Sequence, residues 1–368
     1  MEHNGITQLL NNFSKIIFHI LEVRTPHTME HVERVPVLAN MIAKAVDKYT
    51  PTTFSKDDFY QIDMAAKLHD CGKITTYDYL LEKSTKTEFP RNRIHEIRNR
   101  FEILYRDAEI SSLKKMIKHP EQTSKIKKEL KKKLEQLKKD FEFIAECNLG
   151  NMAMTQKEIT KLSSLSKKHF KRHFSRLAGL SFFEISQLSK EQKLSYNKEA
   201  TETILQDNPE DYYKDIPTGE FYNLCTFKGT INAQERAKIE QHAQETENIL
   251  KMLQLPREFQ KIITYASEHH EQPSGKGYPK GLKEKQLSVP SKILTIADIF
   301  EALTSSGRPY KSPKKLSESL KILKIMKDKQ QIDAEIYHLC LQKGIFTQYA
   351  KKHLSPEQID ITDTKDFY

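Results

Sequence analysis

The chain has 368 residues, 30% of them charged and 37% hydrophobic, with a formal net charge of +10 at pH 7. That length suits about two domains of ~150 residues, yet it contains only 11 glycines and 14 prolines. The composition excludes a collagen-like, a mostly disordered or a membrane-spanning chain, and so few turn-formers argue against a sandwich or barrel.

Taken in chain order, almost every segment reads as helix. The N-terminal stretch is expected to be an amphipathic first helix and not a signal sequence. Asn11, Asn12, Ser14 and Lys15 interrupt its apolar run, and no positive segment precedes it. Residues 29–48 place Val32, Val35, Leu38, Ile42 and Val46 on one face, with Pro36 predicting a kink or a late start. Residues 56–70 form the next helix, with Asp63 and Lys67 at i, i+4. Residues 91–110 repeat the pattern and are expected to pair with a lysine-rich helix as an antiparallel hairpin.

Between Leu113 and Asp140, eleven lysines face four acids, a net of +7. Ile126, Leu130, Leu134, Leu137, Phe141 and Ile144 form one helical stripe there, so the lysines read as a solvated face. No aromatic residue interleaves them to stack on bases, so no nucleic-acid partner is expected. Further helices are expected over 155–205, including a basic helix face carrying His169 and His173 at i, i+4. Helices follow at about 232–253, 256–271 and 290–304, with a C-terminal set over 313–351. Thr230 or Asn232 could cap the first of these, with Glu235 three residues after Asn232 as in a capping box. The fold class read from this pattern is all-α. Four scattered cysteines, Cys71, Cys147, Cys225 and Cys340, form no C-x-x-C pair, which predicts free thiols in a reducing, cytoplasmic setting. Cys71 reads as a small buried residue.

Residues with metal chemistry cluster in two blocks, 27–73 and 242–311, and the intervening 84–228 looks like an insertion. His69-Asp70 ends a helix, where adjacent side chains can turn toward one cation, and a carboxylate has two oxygens with which to bridge two metals. Lys73 follows one turn later. His31 opens a helix with His27 four residues before it. His242 sits mid-helix, His269-His270 is a second adjacent pair, and Asp298 lies in an otherwise apolar helix where an unpaired carboxylate is costly. Imidazole with carboxylate favours Fe, Mn or Zn over Ca.

The ordered set His31, His69-Asp70, Lys73, His242, His269-His270 and Asp298 resembles the HD superfamily of metal-dependent phosphohydrolases. The segments HHEQPSGKGYPKGL (269–282) and ILTIADIFEALTSSGRPYK (293–311) are similar to those of its HD-GYP subfamily. The resemblance covers about 27–83 and 229–311. It implies an HD-domain helical bundle built from residues 1–83 and 229–368, interrupted by a helical insertion over 84–228. It also implies a cyclic-dinucleotide phosphodiesterase, chiefly for cyclic di-GMP, that yields linear pGpG or GMP through a hydroxide bridging two divalent metals, Fe or Mn.

Carried over, His31, His69, Asp70 and Asp298 would hold one metal, and Asp70, His242, His269 and His270 the other. Asp70 and Lys73 would be catalytic. Lys73, Gly277, Tyr278, Arg308 and Lys311 would contact substrate. Three departures stand out: Ser274 and Gly307 replace family aspartates, and His27 stands where some members carry a third-metal Glu, a position from which it could still ligate as an additional metal ligand. Expected partners are the dinucleotide and other signalling proteins such as diguanylate cyclases, with no membrane partner. The alternatives are a catalytically weak binding or interaction module, or an HD phosphohydrolase for another nucleotide.

Overall fold

The computed structural model describes residues 2–26, 29–207, 212–213, 216–305 and 313–368. Backbone proximity groups the chain into two compact units, residues 1–82 with 236–368, and residues 83–235. The first unit begins with α1 (Glu2–Arg24), α2 (Met29–Tyr49) and α3 (Lys56–Leu68). The five-residue stripe of α2 is fully buried. Pro36 lies inside an unbroken α2 and does not delay its start. It forfeits one amide, at a cost of about 3 kcal/mol, but Val32 and Val35 before it and Leu38 and Ile42 after it are all buried. The Pro36 carbonyl accepts from the Asn40 side chain at 2.9 Å.

α3 is fixed at its start by a reciprocal Ser55–Asp58 cap, and the expected Lys67–Asp63 pair is 2.7 Å apart. The helix ends at His69. A 3₁₀ turn, Cys71–Thr75, leads into α4 (Asp78–Glu82).

The second unit opens with the expected hairpin, α5 (Ile94–Lys118) and α6 (Thr123–Asn148). The break falls inside the lysine-rich stretch, at Pro120–Gln122, because proline disfavours helical backbone in the residue before it and cannot donate. Of the predicted stripe, Ile126, Leu137 and Ile144 are buried and Leu130, Leu134 and Phe141 half-buried.

After α7 (Gln156–Ser166) the expectation of helices joined by short turns holds only in part. His169–Arg172 is strand β1, paired antiparallel with β2 (Ala200–Thr203). His169 and His173 therefore do not share a helix face. Strand alternation turns Phe170 into the unit's core. Ion pairs Lys171–Glu199 (3.2 Å), His173–Glu199 (3.1 Å) and Arg172–Glu202 (2.5 Å) hold the ribbon. Between the strands lie α8 (Phe182–Gln187) and α9 (Lys190–Tyr196). β3 (Tyr212–Tyr213), β4 (Ile216–Pro217) and α10 (Glu220–Leu224) follow.

This unit has its own apolar core, including Ile97, Ile144, Leu162 and Leu224. Beside it, buried Glu220 receives Arg100 at 2.6 Å and Arg93 at 2.9 Å.

The chain returns to the first unit with α11 (Ala233–Met252), started by the expected Asn232–Glu235 box: Glu235 N donates to Asn232 at 2.9 Å, and Asn232 N to Glu235 at 3.0 Å. α12 (Lys261–Ser267) is shorter than predicted. Pro256 and a 3₁₀ turn precede it, and it stops short of His269-His270, which lie in a turn. α13 (Val289–Thr304), α14 (Leu316–Asp328), α15 (Ala334–Gln342) and α16 (Ile345–His353) complete the unit. α2 packs against α3, α13, α15 and α16, and α12 against α3 and α13. Apart from two small two-stranded sheets, the described residues are helical or in turns and loops, so the fold is all-α. Among the described residues no helix is long and apolar enough to cross a membrane.

Candidate metal centre

The packing of α2 on α3 and α13 brings three sequence-distant side chains together. His31, in the first turn of α2, points its Nε2 at Asp298 Oδ1 of α13 (3.1 Å) and at Asp70 Oδ2 (3.8 Å). His69, at the end of α3, points its Nε2 at Asp70 Oδ2 (3.3 Å) and Asp298 Oδ1 (3.7 Å). From the other side, His242 Nε2 of α11 lies 3.4 Å from Asp70 Oδ1, and His269 Nε2 lies 4.0 Å from it. The His270 ring lies against that of His269, tilted by 44° with centroids 4.0 Å apart.

Two donor groups result, one of His31, His69 and Asp70 and one of His242, His269 and His270, each with ligand atoms within 4.8 Å of one another. Asp70 turns one oxygen to each. All seven residues read from the sequence are thus brought together. His27, Gly307, Arg308 and Lys311 lie outside the described residues.

The donors fit divalent cations. Nε2 of His69, His242 and His269 and Oδ1 of Asp70 are buried and make no hydrogen bond, a costly state for polar atoms. The tautomers are set from behind: the Nδ1–H groups of His69, His242 and His269 donate to the carbonyls of Ala66 (2.7 Å), Ile239 (2.6 Å) and Ala266 (2.6 Å). That leaves each Nε2 lone pair facing the centre.

Burial lowers the pKa of His242, opposed only in part by Asp70. Burial and the neighbouring His270 hold His269 well below the ordinary value. Burial and His242 push His270 down to about 3. These three imidazoles are neutral, as ligands must be. Burial also works against the carboxylates, but His69 and Lys73 hold Asp70 well below the carboxylate range, and His31 does the same for Asp298. His31 goes the other way: burial opposes its charge, yet Asp298 and Glu301 outweigh it and raise the pKa to about 9.

Sequence reasoning missed three residues that shape this centre. Glu301, 1% exposed, bonds His31 Nδ1 from behind. It lies one turn after Asp298 in the same apolar helix, so a second carboxylate there was a readable signal. Thr246, one turn after His242, accepts from Gly72 N (3.0 Å) and donates to the His69 carbonyl (2.9 Å), tying α11 to the His69–Asp70 turn. Gly72 is required by that approach, since a Cβ there would meet His242 O at 2.0 Å.

The third residue is Glu271, which follows the histidine pair. Its carboxylate accepts from three successive amides, Lys280 (2.6 Å), Gly281 (3.1 Å) and Leu282 (2.8 Å), and so folds the following loop back on the centre.

That loop places Tyr278 over His270, with centroids 4.7 Å apart. Burial raises the Tyr278 phenol, so it stays a protonated donor at neutral pH. Gly277 sits in a cradle of backbone, where a Cβ would meet Gln272 N at 2.4 Å and His270 O at 2.6 Å. Ser274 lies at the loop's base, its amide donating to Gln330 O at 2.9 Å. Lys73 Nζ lies 2.5 Å from Asp70 Oδ2. Cys71 is buried, and burial pushes its thiol up to about 12, so it behaves as an inert filler.

In this helical unit, histidines and aspartates from separated helices converge on one carboxylate. Residues 215–336 match the HD domain family, a span that includes His242, His269, His270 and Asp298. In segments, the chain is similar to proteins named as cyclic-dinucleotide phosphodiesterases. It is 30% identical over 118 residues to the 3′3′-cGAMP-specific phosphodiesterase 1 of Vibrio cholerae, covering 32% of this chain and 26% of that protein. It is 36% identical over 95 residues to phosphodiesterase 3 of the same organism, covering 26% and 20%. It is 42% identical over 64 residues to the cyclic di-GMP phosphodiesterase of Thermotoga maritima, covering 17% of each chain. The chain spans about a quarter or less of the length of the curated relatives it matches.

Proposed function

We propose that this protein is a metal-dependent phosphodiesterase that opens a cyclic dinucleotide, most readily cyclic di-GMP, to linear pGpG and onward to GMP. The observation that carries the reading is the position of Asp70. Its two oxygens face two separate groups of neutral or neutralisable imidazoles, an arrangement suited to a cation pair. When bound, such a pair neutralises the phosphodiester and makes water nucleophilic near neutral pH. His31, His69 and Asp298 would hold one cation, His242, His269 and His270 the other, with Asp70 shared. Imidazole with carboxylate suits Fe or Mn.

Around that centre, Lys73 would place its ammonium on the scissile phosphate and supply a proton to the leaving 3′-oxygen. Tyr278 would donate a hydrogen bond to a phosphate oxygen, and Gly277 would let the loop approach closely enough for it to do so. Arg308 and Lys311 would complete the phosphate contacts.

The test is anaerobic loading with Fe(II) or Mn(II) and assay against cyclic di-GMP, with metal content and product identity read together. About two metals per chain and a linear dinucleotide are expected. Saturable binding of the nucleotide with no product would replace this reading with that of a binding module.

A further inference from the structure

We infer that the cleft between the turn following Lys73 and the N-terminal half of α11 seats one guanine base of the dinucleotide, an assignment that rests on the phosphodiesterase reading above. The cleft encloses about 180 Å³ and is lined by Thr75, Thr76, Tyr77, Lys238, Gln241 and Glu245. Both walls continue directly from segments that build the metal centre. Thr75 and Thr76 follow Lys73 by two and three residues, and the other wall flanks His242 on α11. At 100° per residue, Lys238, Gln241 and Glu245 project from one side of the helix, roughly 40–100° from the direction of His242. The walls are tied at their base by the Gly72–Thr246 and Thr246–His69 hydrogen bonds. The cleft thus lies between two segments that also carry Asp70, Lys73 and His242.

Size and chemistry both select the occupant. Sites for drug-sized ligands take about 300–1,000 Å³, so this cleft suits one ring system and not a whole cyclic dinucleotide. Buried Leu80 also lines it, and the Tyr77 ring is set parallel to Tyr79, with centroids 6.1 Å apart and planes 6° off.

The Glu245 carboxylate is steadied by Asn248 Nδ2 at 3.2 Å. It offers acceptors, which suits the N1–H and N2–H₂ donors of guanine. The Lys238 ammonium offers donors for O6 and N7, the usual pairing of lysine with guanine. Adenine would turn its N1 lone pair against the carboxylate. The arrangement therefore discriminates by hydrogen-bond polarity, where a mismatch leaves groups unpaired.

Glu245→Gln retains shape and removes the double acceptor. With the Mn- or Fe-loaded full chain, this variant should lose at least about tenfold in kcat/KM for cyclic di-GMP, mostly through KM, with no matching loss for cyclic di-AMP. Lys238→Met should act in the same sense. Unchanged substrate ratios in an active Glu245→Gln enzyme overturn the base assignment, as does an equal loss on all substrates in Lys238→Met, which would mark a phosphate contact. If the wild type hydrolyses no cyclic dinucleotide, the phosphodiesterase reading fails first. Calorimetry with GMP then still decides the cleft: affinity in the wild type that Glu245→Gln weakens supports it, and equal or absent binding overturns it.

Discussion

Asp70 is the residue on which the centre turns. It is 3% exposed and faces His31, His69, His242 and His269. Asp70→Asn keeps its size and removes its charge, so it should lose bound metal and abolish hydrolysis while the helices stay folded. Metal content and far-ultraviolet circular dichroism check both halves of that expectation. Glu301 bonds His31 from behind, so Glu301→Gln should weaken metal affinity by about 10–100-fold, as loss of a partner behind a metal-binding histidine does. Competition with a chromophoric chelator reads this directly.

His31 also sets a pH dependence. Its pKa is raised to about 9 in the metal-free chain, from 6.5. The charged form therefore stabilises the metal-free fold fully below pH 6.5, and that stability is lost as pH rises through about 9. The metal-free Tm should fall over that window. A cation must displace the His31 proton, so loading at pH 7 should release it, and metal affinity should rise toward pH 9. Calorimetry in buffers of different ionisation enthalpy counts the proton.

Elements matter here through close backbone approach. The His69–Asp70 turn meets α11 with no room for a side chain at Gly72, and the Gly277 loop meets the histidine turn in the same way. Gly277→Ala would force the backbone at His270–Gln272 to move. It should therefore weaken the proposed cation site at His242, His269 and His270, lowering bound metal by about half, and should disturb the Tyr278 position with it. Glu271→Ala, which frees three amides, should raise KM more than it lowers metal content. In the second unit the buried element contact is electrostatic. Glu220 is wholly buried between Arg93 and Arg100, and Glu220→Ala strands those cations. A loss of about 3–5 kcal/mol is expected, read by urea unfolding.

At the scale of the molecule, two separate hydrophobic clusters lie in two units of one chain. The seven residues of the metal centre all belong to the unit formed by residues 1–82 and 236–368. Binding to one folded unit stabilises that unit by mass action, by about 2.7 kcal/mol when free ligand is a hundred times Kd. Two calorimetric transitions are therefore expected, of which metal loading should raise only one. A single transition, or an equal shift of both, would show that the units unfold together.

The sequence by itself determined the helical class, the hairpin, the capping of α11, and the identity of the centre's histidines and aspartates. Each of these rests on periodicity or on residue types that are costly to bury without a partner, and both are written locally. Local reading missed where long-range packing overrode it. The ribbon at His169–Arg172 exists because Glu199 and Glu202 lie opposite, some thirty residues away. Pro36 stays in its helix because the residues on both sides reach one core.

Only the tertiary structure decided that Asp70 turns one oxygen to each histidine group, that Glu301 stands behind His31, and that the walls at Thr75 and Lys238 enclose a cleft. These are distances between side chains far apart in the chain. They are fixed by how α2, α3, α11 and α13 pack, which no single segment encodes.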